Sequence, residues 1–201
     1  MAITIQDHVK KALKAHHGAE WDKLNYSDQG FFECADNGVL IPHADTIVYR
    51  GKGVLLGGGS GSGKSSLANL LVRNSSNSHV VRNDSPTIYQ HHDGKTYVVD
   101  SSDKELPFKC DFSGLFEEPP NLYELKAIVF LGYREDGNKL EEGNLRETCN
   151  WMFSFSDSNY EQRNQRYDEI LGSLPICRAF RYDTIEDRSE AIKGFLDTLI
   201  R

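Results

Sequence analysis

Residues 54–71 bring together the residue types that bind a polyphosphate. Gly58 to Ser65 fits the pattern G-x-x-x-x-G-K-[ST], with an apolar β-type run before it and leucines at helical spacing after it. Glycine lacks a Cβ and can take a positive φ, so consecutive N–H groups can surround phosphate oxygens at a helix N-terminus. The segment therefore predicts a strand, a phosphate-binding loop and a helix, in that order.

Two side chains at the end of this loop have separate predicted roles. Lys64 brings a mobile ammonium to the terminal phosphates, and the Ser65 hydroxyl is placed for Mg²⁺. The simpler alternative, a Gly/Ser-rich turn that contains a lysine, explains neither the strand nor the amphipathic helix. We therefore predict a nucleoside triphosphate site made by Gly58, Gly59, Ser60, Gly61, Ser62, Gly63, Lys64, Ser65 and Ser66.

Such a site also needs an acid, and Asp84 is the nearest candidate. It ends the predicted strand 79–84, where a carboxylate could hold Mg²⁺ or act as a base. His43 is a second candidate, because a hairpin would return the chain to the phosphates, although a His after Pro is more often a capping or surface residue. The longest apolar run, 126–132, has no acid at its end, which argues against ordinary ATPases and GTPases.

The amino-acid composition limits the kinds of molecule that the protein could bind. The 201 residues include 23 basic and 30 acidic side chains, a net charge of −7, and basic residues are not clustered as duplex binding requires. We expect no nucleic-acid partner. No apolar run approaches transmembrane length and no signal peptide is recognisable, so we expect a cytoplasmic protein with no membrane contact. Four cysteines without a C-x-x-C pair suggest reduced, packing thiols.

Hydrophobic periodicity and turn residues predict one domain over 1–201, with a helical extension over 1–20. A hairpin turn is expected at 50–53, an irregular covering segment at 103–124, and an acidic loop at 134–144. Helices are predicted at 4–17, 64–73, 145–155, 160–171 and 185–200, and strands at 31–35, 39–42, 46–49, 54–56, 79–84, 87–90, 96–99, 126–132 and 177–182. Several strands thus precede the phosphate loop, unlike the usual doubly wound order.

Three stretches in this order resemble one family. They are His43-Ala44 with the Tyr49–Leu56 hairpin, the Gly59–Ser65 loop, and Asn83-Asp84. Together they resemble the kinase domain of HPr kinase/phosphorylase and the smaller HPr-kinase-related proteins, a fold shared with phosphoenolpyruvate carboxykinases. The resemblance implies an α/β P-loop nucleotide-binding domain with a mixed sheet, N-terminal antiparallel strands and flanking helices.

The resemblance also implies an activity and roles for residues. It implies an ATP-dependent kinase that moves the γ-phosphoryl group to a hydroxyl of a protein serine or small molecule, in a possible homo-oligomer. Lys64 then matches the phosphate-binding lysine, His43 the active-site histidine, and Asp84 the base, which would bind Mg²⁺ together with Ser65. Asn83 departs from the family, which has an Asp at that position.

Other classes remain open from the residues alone. A non-catalytic or weakly hydrolytic nucleotide-binding regulatory protein would use the same loop, and Asn83 favours it. A transport-type or motor ATPase is disfavoured, because the sequence lacks a Leu-Ser-Gly-Gly-Gln stretch. A carboxykinase is disfavoured because the chain is short for an additional organic-acid-binding domain.

Overall fold

The computed structural model describes residues 38–40, 42–73, 75–82, 86–100, 121–132, 138–145, 160–180 and 182–201. Within them the strands are β1 (Val39–Leu40), β2 (Ala44–Tyr49), β3 (Lys52–Gly58), β4 (His79–Arg82), β5 (Thr87–Gln90), β6 (Thr96–Asp100), β7 (Asn121–Leu131), β8 (Leu140–Glu142) and β9 (Ile176–Ala179). The helices are α1 (Lys64–Arg73), α2 (Tyr160–Leu171) and α3 (Ile185–Leu199). The predictions for 4–17, 31–35 and 146–155, and the 103–120 part of the covering segment, lie outside the described residues.

The hairpin of β2 and β3 leads the chain into the glycine-rich segment. Arg50 and Gly51 form its turn with φ values of 48° and 79°, the paired positive values that suit a two-residue turn between twisted strands. The register runs from the Tyr49–Lys52 pair to the Ala44–Gly57 pair. The start of β2 therefore lies beside the end of β3, as the sequence predicts.

Three strands run parallel and end at one edge of the sheet. Gly58 of β3 is paired with Leu131 of β7, and Leu131 is paired with Ala179 of β9. In sheets of this kind, ligand sites form beyond the carboxyl ends of the strands. The predicted α/β class with a mixed sheet is confirmed, because these parallel pairs adjoin the antiparallel β2–β3 hairpin.

Strand β7 is longer than its apolar run predicts. It begins at Asn121, so residues 121–124 are not part of an irregular segment: they pair antiparallel with β6, while later residues pair with β3 and β9. Ion pairs from Glu124 to Lys52 on the neighbouring strand and to Lys126 on β7 itself lie at the junction of the two halves. The first half of β7 thereby joins β6, β5 and β1 to the parallel strands.

The predicted loop at 134–144 is wrong over residues 140–142, which form β8 at the edge of β9. Glu141 lies between Lys139 and Arg178, at 2.6 and 2.5 Å. The neighbouring Lys139 and Arg178 lower the pKa of Glu141 to about 2. Residues 140–142 therefore form an edge strand although the segment is acidic, and the charge of Glu141 is paired with Arg178 on the neighbouring strand β9.

The helices cover both faces of the sheet. Helices α1 and α3 pack on one face, through Leu67, Leu71, Ile192 and Leu196, against residues such as Leu56. Helix α2 packs on the other through Tyr167, Ile170 and Leu171. Alternate residues of β3 enter the two cores, as expected for a strand buried on both sides. Among the described helices, none is long and apolar enough to cross a bilayer.

Cys177 provides a test of this packing. It is buried on β9 without a disulfide, and burial raises the pKa of its thiol from 9.0 to about 12. We expect slow alkylation by iodoacetamide at pH about 8.5 in the native protein and fast alkylation in urea, because the thiolate is the nucleophile. Stability should fall as pH rises above 9.0, since the unfolded chain then releases a proton that the folded chain retains. Peptide mass mapping separates Cys177 from the other three cysteines; equal labelling rates in the two states would contradict the burial.

Candidate functional site

The segment from Gly58 to Gly63, called the glycine loop below, leaves the carboxyl end of β3 in a conformation that needs glycine. Gly58, Gly61 and Gly63 have φ values of 148°, 76° and 88°, which side-chain-bearing residues rarely adopt. A Cβ on Gly58 would lie 2.7 Å from Ser62 Oγ and 2.8 Å from the Leu131 carbonyl oxygen. The loop therefore folds closely over the ends of β3 and β7.

Helix α1 begins directly after the glycine loop. Its first residue is Lys64, and the Leu67 N–H donates to the Gly63 carbonyl at 2.9 Å. The N–H groups of a first helical turn have no acceptor within their own helix, and the dipole makes this end positive. Ser65 and Ser66 expose their side chains in this turn, so the helix start presents donors of the kind that bind an anion.

The Lys64 ammonium is held within the glycine loop. Nζ donates to the carbonyl oxygens of Gly58 at 2.9 Å and Gly59 at 3.3 Å, and the residue is only 7% exposed. Carbonyl dipoles compensate a buried charge without neutralising it. A positive charge is thus placed within the glycine loop, and the predicted contact of this lysine with phosphates stays a prediction.

Asp45 is a residue at this site that the sequence reading missed. Ser65 Oγ donates to its Oδ2 at 2.8 Å, and Asp45 is 0% exposed within β2. It shares its face of the strand with Ile47 and Tyr49, which pack against α1 and α3. The sequence did contain a signal for Asp45. An acid in the otherwise apolar or uncharged run 44–49 is costly to bury, and the hairpin places this acid beside the glycine loop.

Arg188 is a second residue that the sequence reading missed. It lies in the first turn of α3 and is 9% exposed. Its guanidinium donates to the carbonyl oxygens of Ser62 and Gly132, both at 3.1 Å, and also to that of Ala179. One side chain therefore joins the glycine loop to the chain beyond β7 and β9.

The N-terminus of α3 is fixed close to the glycine loop. The Thr184 side chain caps it, accepting the Asp187 N–H at 3.0 Å, and a Cβ on Gly63 would lie 3.9 Å from Ile185 Cδ1. Capping of this kind stabilises helix starts by about 1 kcal/mol. Arg188 is thereby held one turn into a defined helix, and no short sequence motif marks that arrangement.

The structure brings one of the two further catalytic candidates to this edge. His43 is exposed and precedes Ala44, whose partner is Gly57, so its backbone lies beside the start of the glycine loop. Asp84 lies outside the described residues. The last residue of β4, Arg82, is paired with Thr46, the neighbour of Asp45, so β4 runs toward the same edge.

The side-chain oxygen atoms of Ser65 and Asp45 fit the predicted Mg²⁺. A serine hydroxyl and a carboxylate are hard donors, and Mg²⁺ commonly takes one or two protein ligands and completes its shell with water and phosphate. Among the residues that the structure describes, no three His, Cys, Asp or Glu side chains gather as a metal cluster. The Ser65–Asp45 pair offers two such oxygen atoms, as many as Mg²⁺ commonly takes from a protein when water and phosphate complete its shell.

Comparisons with known proteins give a distant likeness. No family model and no curated protein matches the sequence significantly. Among solved structures, the HPr(Ser) kinase/phosphatase from Coxiella burnetii is similar over 79% of this chain and 95% of its own, with 13% identity and a TM-score of 0.41. A likeness at this level transfers neither an activity nor a site.

Arg188 should contribute strongly to stability. We expect Arg188→Met to lower the free energy of unfolding by about 2–4 kcal/mol, because hydrogen bonds from a charged donor contribute ~1.5–3 kcal/mol and three carbonyl oxygens lose the guanidinium as a donor. Urea unfolding followed by circular dichroism measures this. Lys193→Met, on the same helix but in a 4.0 Å surface ion pair, should change stability by less than about 1 kcal/mol. Equal losses in the two variants would show that Arg188 does not hold the strand ends together.

Proposed function

We propose that the protein binds ATP with Mg²⁺ at the glycine loop and transfers the γ-phosphoryl group to a hydroxyl acceptor, in the manner of HPr-kinase-like enzymes. One observation carries the proposal. At the carboxyl edge of the parallel strands, β3, the glycine loop and α1 follow one another. The Lys64 ammonium bonds to the loop carbonyls of Gly58 and Gly59, and the Ser65 hydroxyl, in the first turn of α1, bonds to Asp45. The sequence stretches around His43, the glycine loop and Asp84, which resemble those of HPr-kinase-like enzymes, also support the proposal.

In this proposal the described residues have separate roles in binding the phosphates and Mg²⁺. The loop and first-turn N–H groups of α1 would bind phosphate oxygens, and Lys64 would exchange its bonds with loop carbonyls for the terminal phosphates. Ser65 would supply one oxygen ligand to Mg²⁺. When bound, the metal neutralises charge that develops on the transferred group. Arg188, by fixing the Ser62 carbonyl, keeps the loop backbone in the required conformation.

The transfer step needs a base for the acceptor. In this proposal the acceptor hydroxyl oxygen forms a bond to the γ-phosphorus, the bond from that phosphorus to the ADP oxygen breaks, and the hydroxyl proton passes to the Asp84 carboxylate. Asp84 follows Arg82 by two residues, and β4 runs toward the loop edge. His43, exposed at that edge, is a candidate to contact the transferred group or the acceptor.

A second function uses the same loop without transfer. The protein would then be a nucleotide-binding regulator with little or no hydrolysis. Asn83 favours this alternative, because it removes one carboxylate from the Asp-Asp pair that the resemblance implies. The two functions make the same prediction for binding and different predictions for transfer.

Binding is tested first with Lys64→Ala. We expect calorimetric titration with Mg·ATP to give a Kd at least about 100-fold weaker, equivalent to ~2.7 kcal/mol, because the variant lacks the only charge within the loop motif itself. Lys52→Ala is the matched control, since Lys52 pairs with Glu124 at the opposite end of β3. Urea unfolding of both variants monitors folding. Unchanged affinity in the Lys64 variant would refute the nucleotide site.

Transfer is tested with Asp84→Ala. Its Mg·ATP affinity should be retained, whereas transfer should fall ~10²–10⁴-fold, the usual contribution of a general base. ATP labelled in the γ-phosphate, incubated with pools of hydroxyl metabolites and serine peptides, measures the rate. Asp93→Ala, which removes an acid from the β5–β6 turn, should leave it unchanged. Full activity in Asp84→Ala would remove the base role, and binding without transfer in the wild-type protein would favour the regulator.

A further inference from the structure

We infer that Asp45 is a positioning residue that makes nucleotide binding depend on the metal: its carboxylate holds the Ser65 hydroxyl toward a divalent cation and repels a polyphosphate that arrives without one. This inference rests on the proposed function and deepens it. It concerns a residue outside the loop motif and outside the predicted acid at Asp84. The observation that points to it is a fully buried carboxylate in direct hydrogen-bond contact with the hydroxyl proposed as a metal ligand.

The hydrogen bond has a defined direction. The Ser65 hydroxyl has one proton and two lone pairs, and the proton points to Asp45 Oδ2 at 2.8 Å. The lone pairs are thereby turned away from the carboxylate and left for a cation. Charged acceptors also polarise a hydroxyl, which strengthens its oxygen as a ligand, as carboxylates behind metal ligands do elsewhere.

The position of Asp45 in the fold makes its charge effective. It lies in the interior of β2, opposite Leu56 of β3, two residues before the glycine loop begins. A negative charge shielded from water acts over a longer range than one at the surface. A polyphosphate at the loop is also negative, so the same carboxylate opposes its binding unless a cation lies between them.

A neutral residue could replace the hydrogen bond but not the charge. The Asp45→Asn variant keeps a side-chain oxygen that can accept from Ser65, and it lacks the negative charge. Two effects of opposite sign are then expected. Mg·ATP affinity should fall about 10–100-fold, the range found for partners that orient metal ligands. Affinity for ATP in excess EDTA should rise roughly three- to tenfold, because one repulsive charge is gone.

The experiment is calorimetric titration of the full chain with ATP in excess Mg²⁺ and in excess EDTA. Ser65→Ala serves as a comparison: it should weaken Mg·ATP binding without strengthening metal-free binding, since Asp45 keeps its charge. Asp197→Asn is the matched control for removing a partly buried carboxylate. Asp197 accepts from the Tyr49 hydroxyl at 2.7 Å, at the far end of β2, and its replacement should leave both affinities unchanged.

The outcomes separate this inference from the proposed function. If the wild-type protein binds neither form of ATP, the proposed function fails. If it binds Mg·ATP and Asp45→Asn shifts both affinities in the same direction or neither, the inference fails and the nucleotide site stands. Circular dichroism and urea unfolding check the fold of each variant. Should Asp45→Asn not fold, Asp45→Ser takes its place with the same two signs expected.

Discussion

The register of the β2–β3 hairpin is the constraint on which the site depends. The Arg50–Gly51 turn allows one pairing, and that pairing places His43 and Asp45 beside the end of β3. Because side chains alternate across a strand, a slip of one residue would exchange the two faces of β2. Asp45 would then point to the core that α2 covers, and Ile47 and Tyr49 would leave the core under α1 and α3.

Buried cations concentrate positive charge in a protein whose net charge is −7. Lys64 and Arg188 both donate to backbone carbonyl oxygens around the glycine loop. Carbonyl groups accept from these donors and leave a formal charge in place, as they do for the Lys64 ammonium. The acidic composition therefore says little about the local potential, which depends on the few charges that are shielded from water.

Local patterns predicted much of the fold and part of the site. The hairpin turn, α1, the β5–β6 hairpin and α3 follow from glycine positions and apolar spacing, and the structure confirms them with small shifts at their ends. The sequence also led to Lys64. It did not lead to Asp45 or Arg188, because their partners lie 20 and 126 residues away for the Ser65 and Ser62 contacts. Strands β7 at 121–124 and β8 were missed for a similar reason, since pairing across the sheet overrides composition there.

Helix α3 is attached to the glycine loop near its start and to the β2–β3 hairpin near its end. Near its start Arg188 bonds to the Ser62 carbonyl, and near its end Asp197 accepts from the Tyr49 hydroxyl at 2.7 Å and pairs with Arg50 at 3.2 Å. A helix of this length is roughly 22 Å long and resists bending. It therefore spans from the glycine loop, beyond the end of β3, to the Arg50–Gly51 turn at the other end of that strand. The two ends of β3 are thus joined a second time through α3, so the conformation of the glycine loop is coupled to the hairpin turn at the opposite end of the strand.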